Sequence, residues 1–510
     1  MSTKMGIWRG ALAGAAILMV VGTAGARVID PTGVTTNDPA AIVLYSKLKV
    51  DPNTCQARGL TGARFCTLTP GIACSDDDDC RPQCLEVGGA PCPPASITCT
   101  CNLEPGAIAC QEDDDCLGAG MDTVVQLTNT AEFLTKVVCF YTNANGHCLN
   151  DFTRVCSDEN SRDICGAAGL CVPGWQETDF HLTLTKRQPI SWSVNNGLPV
   201  LPLFAGGGQN NQANEGSIPV APEIPFKGEL LCVQLEVSSE QPTDRNDLKG
   251  EASIVTTHFA DIDTNRYNAY GIKAIEGRRS EDNVLNIGGP EAEYGIFSEA
   301  GEESRFVGCP NILTLNHFFE GAEVVTHDGA LRGPVNSELT IVPCARDYLT
   351  QTPNGATIQF LIYNEYEQRF STSTSIFCWE HTRLVDIDTR PGPDGDQFSI
   401  FSAGVQGTQA GMSRVRSVQG PDIDGYDANG ILLLLSEHWG SGHCEAIGTT
   451  GASSNGKQVV SQLCATDADC VGFNGGAQVA VTCVNPFVST TTANVQWQGS
   501  RRQGDRIIIQ

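Results

Sequence analysis

Short runs of aspartate next to cysteine are the pattern in this sequence most able to do chemistry. The stretch ACSDDDDC at 73–80 places four carboxylates between two cysteines. Carboxylate oxygens are the ligands that Ca²⁺ prefers, whereas closely spaced cysteines can close a small disulfide-bonded loop. Two interpretations follow, a calcium site or the acidic tip of a disulfide-bonded loop. The Asp-x-Asp-Cys ending recurs at Asp77 and Asp79 before Cys80, Asp113 and Asp115 before Cys116, and Asp467 and Asp469 before Cys470.

The spacing of these carboxylates supports a weak metal site at most. In an extended run, Asp77 and Asp79 point to the same side, as do Asp113 and Asp115. Calcium takes about six to eight oxygen ligands, so two carboxylates with some backbone carbonyls leave it poorly coordinated. Zinc on the cysteines is disfavoured because no C-x-x-C pair occurs. We therefore expect solvated acidic turns here, with calcium as the alternative.

A second acidic pattern repeats Asp-Ile-Asp in three places. It occurs in DIDTNRYN, DIDTRPGPDGD and PDIDGYDANG. The last of these gives the strongest calcium candidates, Asp422, Asp424 and Asp427. An EF-hand loop counted from Asp422 fails, because position 6 is Asp427 rather than glycine and position 12 is Leu433 rather than glutamate. The pattern favours polar turns between strands, with calcium as the only cofactor to consider.

Two clusters of histidine and glutamate are candidates for zinc or catalytic sites. Neither has the two histidines at i and i+4 on a helix that metalloproteases use. No G-x-S-x-G motif and no phosphate-binding glycine loop with its lysine is found. We expect both clusters to be structural and assign no catalytic residue. The clusters are Glu437, His438, His443 and Glu445, and His317, Glu320 and His327.

The cysteine spacing repeats closely enough to predict small disulfide-bonded units. Segments 66–80 and 101–116 share Cys, seven or eight residues, Cys, five residues, Cys. They contain few large apolar residues, and disulfides closing such loops contribute about 2–3 kcal/mol each. The pattern resembles the C-x-x-D-x-D-C repeats of exported proteins from myxobacteria and related bacteria. More distantly it resembles whey-acidic-protein and dickkopf modules, but the adjacent Cys-Cys pair of the whey-type family is missing, which puts an inhibitor role in doubt.

The start of the chain and the composition predict export. Lys4 and Arg9 precede an apolar run, and small residues at 24–26 predict cleavage after Ala26, with an uncleaved anchor as the alternative. The 23 cysteines fit an oxidising compartment, and their odd number leaves one without an intrachain partner. A net charge of −27 argues against nucleic-acid binding. No later run reaches the roughly 20 apolar residues of a membrane helix.

The rest of the chain reads as an all-β scaffold. Segments 122–143 and 356–381 each predict strand, turn, strand, with the first strand ending at Asn129 or Asn364. Segment 227–237 loosely matches 407–418 in its place after this unit, and segment 248–258 likewise matches 428–439. We therefore predict two tandem Ig-like β-sandwiches with disulfide-rich loop insertions. Two unrelated all-β domains are the alternative.

The predicted organisation follows from these patterns. We expect disulfides between strands to join Cys139 with Cys232, and Cys344 with Cys378 or Cys309. The expected function is an exported, non-enzymatic surface or extracellular protein, structural or adhesion-like, whose partner is a protein or cell-surface ligand. The alternatives are a binding module or inhibitor acting through the cysteine-rich loops, and a secreted hydrolase. The boundaries are 1–26 for the signal peptide, 27–275 for the first sandwich with insertions at about 53–120 and 144–173, 276–336 for a connecting region, and 337–510 for the second sandwich with an insertion at about 444–485.

Overall fold

The fold is described by a computed structural model of the 510-residue chain. The residues that it describes are 34–51, 55–58, 63–66, 84–85, 100–101, 120–156, 165–166, 169–172, 174, 176–197, 218–258, 261–278, 283–287, 305–325, 331–351, 355–391, 397–418, 430–439, 442–447, 457–464, 481–484, 489–495 and 505–509.

Strands account for most of the described chain, as the sequence predicted. In the first half they are β1 Val34–Thr35, β2 Ile42–Val50, β3 Cys55–Arg58, β4 Ala63–Cys66, β5 Cys84–Leu85, β6 Thr100–Cys101, β7 Gly120–Asn129, β8 Thr135–Asn143, β9 Gly146–Cys148, β10 Asp151–Cys156, β11 Cys171–Val172, β12 Gln176–Leu184, β13 Pro189–Ser193, β14 Phe226–Leu235, β15 Leu248–His258, β16 Asp261–Asn268 and β17 Tyr270–Ile272.

The second half continues in the same way, with a 3₁₀ helix at Leu384–Asp388 and a one-turn helix α1 at Ala403–Gln406. Its strands are β18 Val284–Ile287, β19 Ile312–Phe318, β20 Ala322–Val325, β21 Leu331–Pro343, β22 Arg346–Asp347, β23 Gly355–Asn364, β24 Arg369–Phe377, β25 Glu380–Arg383, β26 Arg390–Pro391, β27 Gln397–Phe398, β28 Ala410–Val418, β29 Ile431–Trp439, β30 Gly442–Ile447, β31 Lys457–Cys464, β32 Val481–Val484, β33 Ser489–Val495 and β34 Asp505–Ile508.

The first sandwich consists of two sheets around one core. Sheet A has the order β1-β17-β2-β14-β8-β12, and sheet B has the order β13-β7-β15-β16. Val125 and Leu127 of sheet B pack in the same apolar cluster as Tyr141 of sheet A. Trp192 of sheet B donates from Nε1 to the Tyr141 hydroxyl at 2.7 Å, so the polar atoms of both rings are satisfied within the core.

The second sandwich has the same construction. Sheet C has the order β19-β28-β23-β24, and sheet D has the order β20-β21-β29-β33 with β25 also paired to β21. Phe360 and Val415 of sheet C share a buried cluster with Leu339, Ile341 and Leu433 of sheet D. Strand β23 alternates between buried and less buried residues, which is the pattern of a strand with one face on a core.

The two sandwiches repeat one topology. In sheet A, β2-β14-β8-β12 corresponds strand for strand, and in chain order, to β19-β28-β23-β24 of sheet C. In sheet B, β13-β7-β15-β16 corresponds in the same way to β25-β21-β29-β33 of sheet D. The Ig-like arrangement is not confirmed, because in the immunoglobulin order the first two strands are neighbours in one sheet. Here the first strand of each repeat lies beside the sixth.

The predicted correspondence between segments 122–143 and 356–381 is wrong by one strand. Strands β7 and β8 lie in different sheets, whereas β23 and β24 pair with each other as a hairpin. The residue that corresponds to Asn364 is therefore Asn143 rather than Asn129. Asn143 Oδ1 accepts the amide of Asn145 at 3.0 Å, and Asn364 Oδ1 accepts the amide of Tyr366 at 3.0 Å. The local turn chemistry is repeated, but local sequence alone did not show which sheet the next strand joins.

Two disulfide predictions are confirmed. Cys139 pairs with Cys232 across directly opposed positions of β8 and β14. Cys344 pairs with Cys309, the second of its two proposed partners, rather than with Cys378. The four described disulfides indicate that the chain folds in an oxidising environment.

The two halves pack tightly against each other. The central strands of sheet A are buried on both faces, because the second face carries Ile42 and Phe140 into a cluster that also contains Tyr348. Phe140 and Tyr348 stack with ring centroids 4.4 Å apart. Glu229 of β14 and Arg346 of β22 form a fully buried bidentate pair at 2.8 and 2.9 Å. The sandwiches therefore form a continuous packed unit rather than two loosely linked bodies.

A small third sheet joins the halves. The last strand, β34, pairs antiparallel with β18 of the connecting region and parallel with β22. The predicted boundary of 337–510 placed this strand in the second sandwich, which is wrong, because Ile507 instead packs in the cluster between the halves. Strand β33 does return, pairing with β29 as predicted. Within the described ranges, no helix has the length and apolarity needed to cross a bilayer.

Candidate functional site

The long insertions of the first sandwich leave from one of its ends. The pairing of Val50 with Phe226, and of Asn143 with Gly228 and Gln176, places the end of β2, the end of β8 and the start of β12 side by side. Segments 52–119 and 144–175 therefore emerge together. In the second sandwich, segment 440–488 connects the two strands equivalent to β15 and β16. Connections at the other end of the first sandwich are shorter.

The insertion between β8 and β12 contains three short strands, β9, β10 and β11. We call residues 146–172 the stapled loop. Its strands β9, β10 and β11 form a small sheet closed by the disulfides Cys148–Cys165 and Cys156–Cys171. Cys148, Cys156 and Cys165 are buried, so the two disulfides take the place of an apolar core.

A carboxylate ties the base of the stapled loop to the first sandwich. Glu223 accepts hydrogen bonds from Nδ2 of Asn143 at 2.8 Å and from Nδ2 of Asn145 at 2.9 Å. Nε2 of His147 lies 3.1 Å from both of its oxygens. Asn143 ends β8 and His147 lies in β9, so this set of bonds fixes the angle at which the loop leaves the sheet. The stapled loop is held at its base as well as internally.

The stapled loop has three large apolar side chains that are exposed to solvent. Leu149, Phe152 and Leu170 are 54%, 59% and 64% exposed. The amide of Leu149 donates to the carbonyl of Leu170 at 2.8 Å, so these two residues are neighbours on the loop surface. Single exposed apolar residues are ordinary, but three on one small rigid unit mark a candidate contact surface.

A cleft separates the stapled loop from the second sandwich. It has a volume of about 530 Å³, within the range of roughly 300–1,000 Å³ typical of small-molecule sites. One wall comes from the end of the first sandwich and the loop, and the other from β21, β24, β25 and the 3₁₀ helix. The lining residues are Lys49, Ala144, Gly146, Cys156, Cys171, Gly174, Lys227, Glu338, Ser375, Phe377, Trp379, Glu380, His381, Thr382, Arg383 and Asp386.

A buried charge cluster lies at the floor of this cleft. Glu338 projects from β21 toward the first half, because its neighbour Leu339 faces the core of the second sandwich. Oε2 of Glu338 lies 3.2 Å from Nζ of Lys47, 3.1 Å from Nε2 of His381 and 3.3 Å from Nε2 of His438. Lys47, His381 and His438 come from three different strands, so only the packed tertiary structure assembles this cluster.

The hydrogen bonds of His381 define its tautomer. Nζ of Lys49 lies 2.8 Å from Nε2 of His381, and an ammonium group can only donate. Nε2 is therefore the acceptor, and Nδ1 carries the proton that it donates to Oγ1 of Thr340 at 2.9 Å. Nε2 of His381 and Oε2 of Glu338 are then two acceptors close together, and the lysine ammonium groups beside them offset their repulsion. His381 is neutral in this arrangement.

Burial and neighbouring charges shift the pKa values in the cluster. Burial lowers the pKa of Lys47 to about 8, although Glu338 opposes the change. Burial also lowers the pKa of His381 well below its usual value, and Lys47 and Lys49 add to the effect. Burial alone would raise the pKa of Glu338, but Lys47 and the other cations around it hold it well below its usual value. Near neutral pH the cluster contains an ionised carboxylate and a neutral His381.

A second carboxylate nearby has the opposite pKa shift. Burial raises the pKa of Glu320 to about 7, with Arg383 opposing the shift and Asp386 and Glu338 adding to it. Carboxylates whose pKa values are pushed apart are typical of acid–base pairs in glycosidases. Glu320, however, is not one of the described residues that line the cleft. It lies 4.0 Å from Arg383, which binds Asp386 at 2.7 Å.

In the predicted cluster of His317, Glu320 and His327, His327 lies outside the described residues and His317 is buried in the second sandwich. This side chain is 2% exposed, and its Nε2 lies 2.8 Å from Oγ of Ser413. Burial lowers its pKa to about 4. Glu437 accepts the amide of Phe318 at 3.0 Å, while His438 of the other cluster reaches Glu338 instead.

The calcium predictions fall on residues that the structure does not describe. Asp422, Asp424 and Asp427 lie between β28 and β29, outside the described residues, and Asp77, Asp79, Asp113 and Asp115 lie outside them in the first insertion. These assignments stay predictions. In the described part of the chain, one group of side chains has the proximity of a metal site, Cys148, Cys156 and Cys165, and disulfides occupy its sulfur atoms.

Sequence reasoning missed Lys47, Lys49, Glu338 and His381. One local signal was present, since two lysines interrupt the apolar run IVLYSKLKV of β2. In a strand buried on both faces, charged residues need partners from another element. The identity of those partners depended on how the two halves pack.

Comparisons with known proteins give no assignment. No protein-family description and no curated protein matches the sequence. A chain in a solved structure titled "Structure of the Macrobrachium rosenbergii Nodavirus" aligns at 8% identity, over 82% of this chain and 98% of its own length. The TM-score of that alignment is 0.08, which is too low to indicate a shared fold.

Proposed function

We propose that this protein is an exported, adhesion-like binding protein that contacts another protein through its stapled loop. The observation that carries the proposal is the exposure of Leu149, Phe152 and Leu170 on a unit fixed by two disulfides and anchored at Glu223. A rigid loop loses little conformational entropy on binding, and apolar anchors supply most of the energy of such contacts.

Export is the second element of the proposal. It is supported by the predicted signal peptide at 1–26, the 23 cysteines and the disulfides of the described chain. Mass spectrometry of the protein recovered from producing cells tests it, with a mature N-terminus at Arg27 as the expected result. A chain that is recovered intact in the cytosol with reduced cysteines would contradict export.

The binding proposal is tested by site-specific photocrosslinking. A photoreactive phenylalanine analogue at position 152 should crosslink a protein on the surface of producing cells. The same analogue at Tyr366, which is 68% exposed on the turn between β23 and β24, is the matched control. Any crosslinked protein is then purified and its affinity measured directly.

Substitutions distinguish specific contact from general stickiness. Phe152→Ser and Leu170→Ser should each weaken the measured affinity at least tenfold, because each removes an apolar anchor. Tyr366→Ser should leave the affinity unchanged. Equal crosslinking from positions 152 and 366, or an affinity that neither loop substitution alters, would rule out the stapled loop as the binding surface.

A further inference from the structure

The floor of the cleft carries more positive charge than it can neutralise. Nζ of Lys47 lies 3.2 Å from Glu338, and Nζ of Lys49 lies 2.8 Å from Nε2 of His381, which is itself 3.1 Å from the same carboxylate. His381 is neutral by its hydrogen bonds. Lys47 is 3% exposed, so water does not solvate its ammonium group freely. Two ammonium groups and one carboxylate leave a surplus of one positive charge at the floor of the cleft.

This local surplus runs against the charge of the molecule. The whole chain has a net charge of −27, so most of its surface repels anions. Lys227 lines the same cleft as Lys49, on the wall that the first sandwich contributes. A single negative charge on a ligand would balance the surplus beside Lys49, whereas a multiply charged anion would meet the carboxylates of Glu380 and Asp386.

The remaining lining is suited to hydroxyl groups and to one apolar face. Glu380 and Asp386 contribute carboxylate groups, of which Asp386 is paired with Arg383 at 2.7 Å, and Ser375 and Thr382 offer hydroxyl groups. Phe377 also lines the cleft and is 46% exposed, so its ring is open to contact. A sugar ring has hydroxyl groups around its edge and C–H bonds on its faces, and it matches this combination of acceptors, donors and an aromatic surface.

We infer that the cleft between the stapled loop and the second sandwich binds a small monocarboxylate rich in hydroxyl groups, the chemistry of an acidic sugar. The ligand carboxylate pairs with Lys49, and its hydroxyl groups bond to the opposite wall. This site goes beyond the protein contact proposed for the loop surface, because it uses the inner face of the loop and does not involve Leu149, Phe152 or Leu170.

Isothermal titration calorimetry on the full mature protein tests the inference with three probes. D-glucuronate carries both the carboxylate and the hydroxyl groups, D-glucose lacks the carboxylate, and acetate lacks the hydroxyl groups. D-glucuronate should bind at least tenfold more tightly than either of the others. Equal binding of glucuronate and glucose, equal binding of glucuronate and acetate, or no binding of glucuronate at millimolar concentration would overturn the inference.

Charge removal locates the site. Lys49→Met should weaken glucuronate binding at least tenfold and leave the weak binding of glucose unchanged. Lys186→Met is the matched control, because this lysine is 62% exposed and pairs with Glu132 far from the cleft. Lys227→Met provides a second cleft variant should Lys49→Met fail to fold. Wild-type affinity in the cleft variants would place the binding elsewhere and refute the assignment.

Discussion

At the scale of single residues, Glu338 is the carboxylate at the centre of the charge cluster between the two sandwiches. It is the carboxylate shared by Lys47, His381 and His438, each from a different strand. Removing one partner from a buried ionic group leaves the others without compensation, which costs more than the group contributed in isolation. Replacing Glu338 alone should therefore lower the stability of the protein strongly, and replacing Lys47 as well should lower it less.

Glu338→Gln should lower the free energy of unfolding by about 3–5 kcal/mol, because it leaves the buried ammonium group of Lys47 without its carboxylate. Urea unfolding measures the change. The control, Glu240→Gln, removes the exposed partner of Lys136 and should have no measurable effect. Adding Lys47→Met to Glu338→Gln should recover part of the loss. A double variant less stable than Glu338→Gln would show that the ammonium group of Lys47 is not the cause.

The buried His317 should make folding sensitive to acid. Burial lowers its pKa to about 4, whereas the unfolded chain titrates near 6.5. The unfolded state therefore binds more protons between those values, so stability falls as pH drops from 6.5 to 4. The full contribution of this residue is about 3 kcal/mol.

The pH prediction is measured as a difference between variants. Glu320 has a raised pKa and acts in the opposite direction over part of the same range, so the total slope is a mixture. His317→Gln should flatten the loss of stability between pH 6.5 and 4, and His181→Gln, at an exposed position of β12, should not. Identical pH profiles for wild type and His317→Gln would mean that this histidine titrates normally in the folded protein.

At the scale of elements, disulfides serve two different purposes. Cys139–Cys232 joins two central strands of sheet A within an apolar core, across 93 residues of sequence. Cys156–Cys171 closes a loop of 15 residues that has little apolar core of its own. The first cross-link restricts the unfolded state of a whole sandwich, whereas the second holds the conformation of one surface unit.

Removing each disulfide should therefore have a different result. The double variant Cys139→Ala and Cys232→Ala should lose about 4–5 kcal/mol of global stability on the chain-entropy model. The double variant Cys156→Ala and Cys171→Ala should leave global unfolding nearly unchanged while trypsin cleaves the stapled loop much faster. Comparing denaturant midpoints with limited-proteolysis rates separates the two effects. Protection of the loop in the second variant would show that Glu223 and Cys148–Cys165 suffice to hold it.

At the scale of the whole molecule, the two sandwiches are coupled by a buried interface. Trp379 of the second half donates to the carbonyl of Ser46 in the first at 2.7 Å, and Tyr270 of the first donates to the carbonyl of Leu433 in the second. The Glu229–Arg346 pair lies in the same region and is fully buried. Duplicated domains with a small interface unfold separately, but an apolar interface of this kind couples them.

Calorimetry should show a single unfolding transition for the wild-type protein. Arg346→Met leaves Glu229 buried without its partner and should lower stability by about 3–5 kcal/mol, separating the transition into two as the halves lose contact. Arg266→Met removes an exposed partner of Glu251, with 56% of the arginine side chain accessible, and should retain the single transition. Two transitions already present in the wild type would show that the halves fold independently.

The sequence by itself determined the all-β class, the repeated scaffold and the use of disulfides. These features leave local marks, since alternation, turn residues and cysteine spacing are set by neighbours in the chain. It also suggested Cys139–Cys232, and Cys309 as one of two partners for Cys344, although disulfide connectivity as a whole does not follow from cysteine positions alone.

Only the tertiary structure decided which strands are neighbours and what lies between the sandwiches. The sequence wrongly equated β7 and β8 with β23 and β24. Both segments show the same strand-turn-strand pattern, but that pattern does not determine whether the two strands join one sheet or two different sheets. The cluster of Lys47, Lys49, Glu338 and His381 joins residues more than 290 positions apart, as the separation of 291 between Lys47 and Glu338 shows. No local sequence pattern predicts that these side chains lie together, because their proximity arises from the packing of one folded half against the other.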